Sequence, residues 1–250
     1  MSDFDRNVAA RGTFGDRAVA VDAGLRAHMI RVYNYMAAAV ALSGAVAWFT
    51  YNAAVTSTGT LTAFGQAIFS GPLMIVLLLA TLGLVFFISF RIHKLQFTTA
   101  LTLFMLYAGL LGVTLAPIFL IYTGASVTRV FFISAASFGA LSLWGYTTQR
   151  DLTGMGSFLI MGLIGIVIAS LVNIFIASSA LQFAISVIGV VVFVGLTAWD
   201  TQQIKEMYVD DAYAGGQAAA KTAVMGALRL YLDFINLFMM LLQLLGTRRD

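Results

Sequence analysis

Seven stretches of roughly 20 apolar residues, each bounded by polar or turn-forming residues, dominate this chain. A bilayer hydrocarbon core is about 30 Å thick, and a helix rising 1.5 Å per residue crosses it in about 20 residues. The stretches cover about 32–52, 72–90, 96–115, 128–147, 155–177, 181–204 and 223–246. In lipid each backbone N–H and C=O has to be satisfied within the segment, so runs of this length are helices. The expectation is an all-α integral membrane protein: a polar N-terminal tail over 1–31, then a seven-transmembrane-helix domain over 32–246. The first apolar run starts too late, and runs too long, for a signal peptide. One break has two readings: residues 97–122 form either a helix ending before Pro117 or one long helix broken by it. The count is seven either way.

Composition excludes most alternatives. Apolar residues make up 60% of the 250 and charged residues 10%, against about 45–50% and about 25% in soluble domains. Mean hydropathy is +0.93. A soluble enzyme, a nucleic-acid binder and a disordered chain are all set aside. The net charge of +3 reflects asymmetry across a membrane, since no dense basic stripe exists for nucleic acid. With the N-terminus in the cytoplasm, the inner side holds Arg6, Arg11, Arg17, Arg26, Arg31, Arg91, Lys94, Arg150, Lys205 and Lys221. The outer side holds Arg129, Arg248 and Arg249. Ten against three satisfies the positive-inside rule and sets the C-terminus outside. The absence of cysteine excludes disulfides and thiolate chemistry.

Motifs of soluble chemistry are missing. There is no phosphate-binding loop and no nucleophile–base set, so no enzymatic activity and no cofactor are expected. His28 and His93 have no ligand-spaced partner and read as solvated or headgroup-facing. The segment 206–222, with Gly215-Gly216, reads as a mobile linker on the inner side. Asn173 reads as deep in the fifth helix, where an interhelical hydrogen bond is the plain role.

The informative residues are ionisable groups inside apolar helices, which are costly there and face the bundle interior or a hydrated cavity. They are Asp200 in the sixth helix, Asp233 and Arg229 in the seventh, and Arg91 at the inner end of the second. Arg229 and Asp233 are four residues apart on one helical face, extended by Asn236. At 1.5 Å per residue, Asp200 lies roughly 7–8 Å from the inner boundary and Asp233 roughly 15 Å. Helix tilt would have to absorb the difference before they met. Two acids and two bases balance, which a low-dielectric site tolerates. A carboxyl pair brought together cannot ionise twice cheaply and takes up a proton as pH falls. Asp200 and Asp233 therefore read as a proton-sensitive gate, with Arg91 and Arg229 as candidate latches. The competing reading is a static network that fixes helix packing.

Five segments carry a resemblance. They are Gly112-Val-Thr-Leu-Ala-Pro-Ile-Phe-Leu-Ile-Tyr-Thr-Gly, Arg129-Val-Phe-Phe-Ile-Ser-Ala-Ala, Gly145-Tyr-Thr-Thr-Gln-Arg-Asp-Leu-Thr, Ala198-Trp-Asp-Thr-Gln-Gln-Ile-Lys and Leu230-Tyr-Leu-Asp-Phe-Ile-Asn-Leu-Phe. Over about residues 30–246 the chain resembles the Bax inhibitor (transmembrane Bax-inhibitor-motif) family, in its bacterial form. The resemblance implies a seven-helix bundle with the last helix at the centre. It also implies a pH-sensitive Ca²⁺ leak whose sensor is an aspartate pair corresponding to Asp200 and Asp233. An arginine from the second helix latches the closed state of bacterial members, and Arg91 is the nearest match; Arg229 maps onto no family position. The bacterial setting implies an inner membrane. Eukaryotic members are linked to suppression of cell death, and some bacterial members to a membrane-bound quality-control protease. The expected partners are thus the lipid bilayer, Ca²⁺ or other cations, and in the rival reading a membrane protease complex that this chain regulates without conducting. A proton-coupled transporter, with Asp233 and Asn173 at its site, ranks last. Asp200 and Asp233 are also the candidate transient Ca²⁺ ligands, since a hard cation wants six to eight oxygens.

Overall fold

The computed structural model describes residues 3–214 and 219–249, with side chains for 22–92, 94–210 and 220–249. Among the described residues the named elements are all helices, joined by short connections: α1 (Asp3–Ala54), α2 (Ala63–Phe69), α3 (Pro72–Arg91), a 3-10 turn (Ile92–Lys94), α4 (Phe97–Leu115), α5 (Ile118–Ile121), α6 (Gly124–Thr147), α7 (Thr153–Ile176), α8 (Ser179–Ala214) and α9 (Ala219–Leu245). With α4 and α5 taken together, seven of these are long and apolar enough to cross a membrane.

Local chemistry sets the boundaries. Pro72 opens α3 at a position where its missing N–H costs nothing. Pro117 stands between α4 and α5 and breaks the ladder, so the third span runs on to Ile121 as a bent pair. Thr123 then caps α6, its hydroxyl accepting the Ser126 N–H at 3.3 Å. Of the two readings of 97–122, the long broken helix is the observed one.

Two segments differ from the sequence expectation. The first span's helix does not begin at 32. It continues back through the stretch read as a polar tail, and Leu25, His28, Met29, Val32 and Met36 form a buried stripe along it. Arg26 and Arg31 lie on the exposed side. Window hydropathy averages the two faces and loses this amphipathic turn. The second difference is the linker: α8 runs on to Ala214 and α9 begins at Ala219, so only Gly215-Gly216 and two neighbours lie outside the described residues.

The last helix is at the centre of the bundle. Half of its apolar window, 50%, is buried, against 11% for α3 and α7. Leu228, Leu230, Tyr231, Leu237 and Leu242 have almost no exposed surface. Its neighbours are α8 foremost, then α1, α6 and α4. Tyr231 points into the α1–α4 side. Its Oη lies 2.6 Å from Ser43 Oγ, and Phe104 and Tyr107 meet its ring edge-on at 5.6 and 5.9 Å. Ser43 also reaches the Ala108 carbonyl at 2.8 Å, tying α1 to α4. α3 and α7 are peripheral and face lipid through residues such as Leu79, Phe90, Phe158 and Phe175.

The bundle has two distinct ends. The hairpin end holds Arg91, the α6–α7 turn and the α8–α9 connection. The strap end holds the C-terminal segment, which lies across α5, α6 and α1. There Thr123 N donates to Thr247 O at 3.0 Å and Arg249 N to Ile121 O at 2.9 Å. Thr247 N donates to Ser126 Oγ at 2.8 Å, and Arg249 Nη1 to Tyr51 Oη at 2.7 Å.

Glycine permits the closest helix contact. A Cβ on Gly145 of α6 would collide with the Ala198 backbone of α8, so only glycine fits there. A Cβ on Gly109 of α4 would meet nothing within 4 Å. Gly145→Val is therefore expected to destabilise the protein by about 1–3 kcal/mol, as overpacking does, while Gly109→Ala changes little. Thermal melting of the two variants in the same detergent checks this.

Candidate functional site

The site is built on the antiparallel pair α8 and α9. Gly226 seats on Ile204, and Gly189 on Met240, and this register brings Asp200 and Asp233 level. Their carboxyl groups meet in hydrogen-bonding contact. The depth difference expected between them vanishes because both helices extend beyond the expected boundaries toward the hairpin end. No tilt is needed.

Asp233 is 5% exposed and Asp200 8%. Asp233 Oδ2 is buried, and no N–H or hydroxyl group reaches it among the described residues. Arg229 Nη1 lies 3.6 Å from Asp200 Oδ1, with the guanidinium side chain 35% exposed. Arg229 thus bridges to the neighbouring helix rather than down its own face to Asp233. Arg91 is exposed at the end of α3 and makes no ion pair to either carboxyl among the described residues. The expected balance of two acids and two bases gives way to one guanidinium over two carboxyls. Such a cluster is net neutral when the carboxyl pair holds one proton.

Residues that follow Asp200 on α8 tie this helix to α6 and to the α6–α7 turn. Thr201 Oγ1 donates to Thr197 O at 2.7 Å and lies 2.9 Å from Ser142 Oγ of α6. Ser142 Oγ in turn lies 2.6 Å from Tyr33 Oη of α1. This hydroxyl chain crosses three helices behind the carboxyl pair. Gln202 clamps the α6–α7 turn: its Oε1 accepts the Leu152 N–H at 2.9 Å and its Nε2 donates to Arg150 O at 2.8 Å. Lys205 Nζ donates to Tyr146 O at 3.1 Å. In the same turn the Thr153 hydroxyl, then the Thr153 N–H, hold the Asp151 carboxyl below the usual carboxylate range. A depressed carboxyl stabilises the folded turn above its ordinary pKa and loses that effect as pH falls through the lowered value.

Other sequence candidates lie elsewhere. Asn173 is not deep in the bundle; it is in the last turn of α7 at the strap end. Its Oδ1 accepts the Ser178 N–H at 3.0 Å and its Nδ2 donates to Gln182 Oε1 at 3.1 Å. Those bonds hold the tight α7–α8 turn, where Ala177 is left-handed at φ 52°. A span running from Thr153 reaches its far end by Asn173, which a hydropathy window does not reveal. Asn236 donates back to Leu232 O at 2.8 Å and does not extend the charged face. His28 is neither solvated nor headgroup-facing. It is buried, its ring 4.7 Å from that of Tyr208, because α1 continues past the expected start and packs on the α8 extension. The His93 side chain lies outside the described residues. Among the described residues no group of three or more His, Asp or Glu side chains is spaced to hold a metal ion.

These features define a class: a multi-pass α-helical membrane bundle whose central last helix shares a buried carboxyl pair with the helix before it. The family model described as inhibitor of apoptosis-promoting Bax1 matches residues 25–250. The chain belongs to the Bax inhibitor family. It is 51% identical over 232 residues to the Rickettsia prowazekii protein RP147, covering 92% of this chain and 93% of that one. It is 46% identical over 235 residues to the inner membrane protein YbhL of Escherichia coli K12, covering 94% and 97%. A Caulobacter vibrioides relative is 44% identical over the full length of both chains.

Sequence reasoning missed the Tyr33–Ser142–Thr201 chain and the Gln202 clamp. Hydroxyl residues are frequent in membrane helices, and their partners lie far away in sequence. The signal available was position, since Thr201 and Gln202 directly follow Asp200. Gln202→Leu leaves the Leu152 N–H and Arg150 carbonyl without their partner, an expected cost of about 1–3 kcal/mol. Hydrogen exchange should rise at residues 148–153 and stay unchanged at the strap end. Equal protection in both proteins would remove the clamp role.

Proposed function

We propose that this protein is a passive, pH-gated leak pathway for cations, Ca²⁺ among them, with Asp200 and Asp233 as the gate. The observation that supports this reading is the contact between two buried carboxyls, Asp200 and Asp233, with the Arg229 guanidinium beside Asp200. A hydrogen bond between carboxyl groups exists only while one of them holds a proton. The pair is therefore poised to change its bonding with proton supply. α9 fills the centre of the bundle, so its seat shuts the path between the surrounding helices. In the proposed cycle the singly protonated pair and Arg229 hold α9 against α8. A second proton removes the charge that Arg229 attracts, and α9 loosens. A cation passing the opened site would meet backbone carbonyls, water and the carbonyl oxygens of a neutral carboxyl pair, oxygen donors too weak to trap Ca²⁺. The expectation of a calcium leak comes with the family, and the geometry of the pair is compatible with it.

The test is Ca²⁺ flux into dye-loaded liposomes holding purified protein, scanned from about pH 6 to about pH 8 across the range where such switches operate. Flux should rise as pH falls. Asp200→Asn and Asp233→Asn should each flatten the profile, and Arg229→Gln should move it toward higher pH, because the cation that favours the ionised form is gone. A wild-type profile in either asparagine variant would exclude the pair as the gate. Absence of flux at every pH from folded protein would favour a non-conducting regulator instead.

We further propose that the hairpin end faces the cytoplasm of a bacterial inner membrane, on the strength of its basic residues. The cysteine-free chain makes this simple to test. Thr58→Cys, exposed at the strap end, should react with an impermeant maleimide in intact spheroplasts. Glu206→Cys, exposed at the hairpin end, should react only after permeabilisation. The reverse pattern would invert the topology.

A further inference from the structure

We infer that the groove between α1 and α6 at the hairpin end is a binding site for one anionic phospholipid. α1 and α6 flank each other without close helix packing. What joins them at this level is the 2.6 Å contact of Tyr33 with Ser142. Beside it a groove of about 510 Å³ opens to the outside, walled by Met29, Ile30, Phe138, Gly139 and Leu143. Ile30 and Leu143 are 52% and 63% exposed on its rim, so the opening is on the lipid-facing perimeter.

Size and charge select the occupant. The volume is that of a small-molecule site, about 300–1,000 Å³. Two turns of a partner helix about 10 Å across would overfill it, whereas a flexible acyl chain follows such a wall. The charge is at one end. Arg26 lines the groove, is exposed, and makes no ion pair among the described residues. Tyr146, also in the lining, has the Lys205 ammonium 5.7 Å from its ring centroid. Arg26 lies near the hairpin-end limit of its span, at the level where headgroups sit. The phosphate of an anionic lipid therefore falls against Arg26 while its chain lies along Ile30, Phe138 and Leu143. Exposed Asp22, one turn away, weakens this attraction without closing the groove. Ser142 ties the groove wall to Thr201, the residue after Asp200, so an occupant there touches the framework of the carboxyl pair.

The experiment equilibrates the full chain in vesicles of phosphatidylethanolamine and phosphatidylglycerol in equal amounts, then counts lipids retained in detergent by native mass spectrometry. One phosphatidylglycerol per chain should be retained in preference to phosphatidylethanolamine. Arg26→Gln should lower that preference about fivefold, the worth of one basic residue against an anionic headgroup. Gly139→Phe should exclude the bound lipid of either type, and the Gly139 Cβ position has nothing within 4 Å to clash with. Photoreactive phosphatidylglycerol gives a readout independent of both variants: cross-links should concentrate at 26–33 and 138–146. Retention of the two lipids in vesicle proportion, unchanged retention in Gly139→Phe, or labelling spread evenly to lipid-facing sites such as Phe175 would each overturn the site.

Discussion

A carboxyl group inside a bilayer has to find its partners within the protein, because hydrocarbon offers none. Asp200 and Asp233 find each other, and Arg229 finds Asp200. That arrangement requires α8 and α9 to pair in one register over most of their length. Gly226 and Gly189 admit the facing side chains of Ile204 and Met240 along this seam. Once α9 is bound to α8 in this way, the other helices have a core to surround: α6 closes on α8 through Gly145, and α1 and α4 close on Tyr231. The hydroxyl chain from Tyr33 through Ser142 to Thr201 then joins the first span to the same seam. Removing either carboxyl partner would leave the other side chain with a buried polar group to satisfy alone, and this is costly.

Much of the architecture was legible in the sequence. The length and spacing of apolar runs give seven spans because lipid thickness and backbone hydrogen bonding leave no other choice. Pro72 and Pro117 mark true interruptions. What hydropathy could not deliver was the surface of α1 at Leu25, His28 and Met29, where exposed Arg26 and Arg31 dilute the average. The same weakness hid the α8 extension, where Glu206 and Asp210 gave the look of a loop to a helix that continues past Tyr208.

The carboxyl pair was identifiable by type, since acids are rare in membrane helices and each one asks for a partner. Its geometry was not. Depth from assumed boundaries separated Asp200 from Asp233, and four-residue spacing tied Arg229 to Asp233 on its own helix. Tertiary register reverses both. The second arginine, Arg91, belongs by composition to the same half of the bundle, yet α3 is peripheral and leaves it facing outward. Residue type locates the cost of a buried charge; only the packing says which neighbour relieves it.

The C-terminal strap has a mechanical consequence. It follows directly on α9, and Thr247 and Arg249 are bonded to Thr123, Ser126, Ile121 and Tyr51. Bonds at one end of a helix resist sliding more than tilting, so a tilt of α9 would turn about the strap and its displacement would grow with distance from Leu245. Asp233 lies about 18 Å along that lever at 1.5 Å per residue, and Arg229 farther still. A small change of tilt would thus displace the carboxyl pair far more than the strap end.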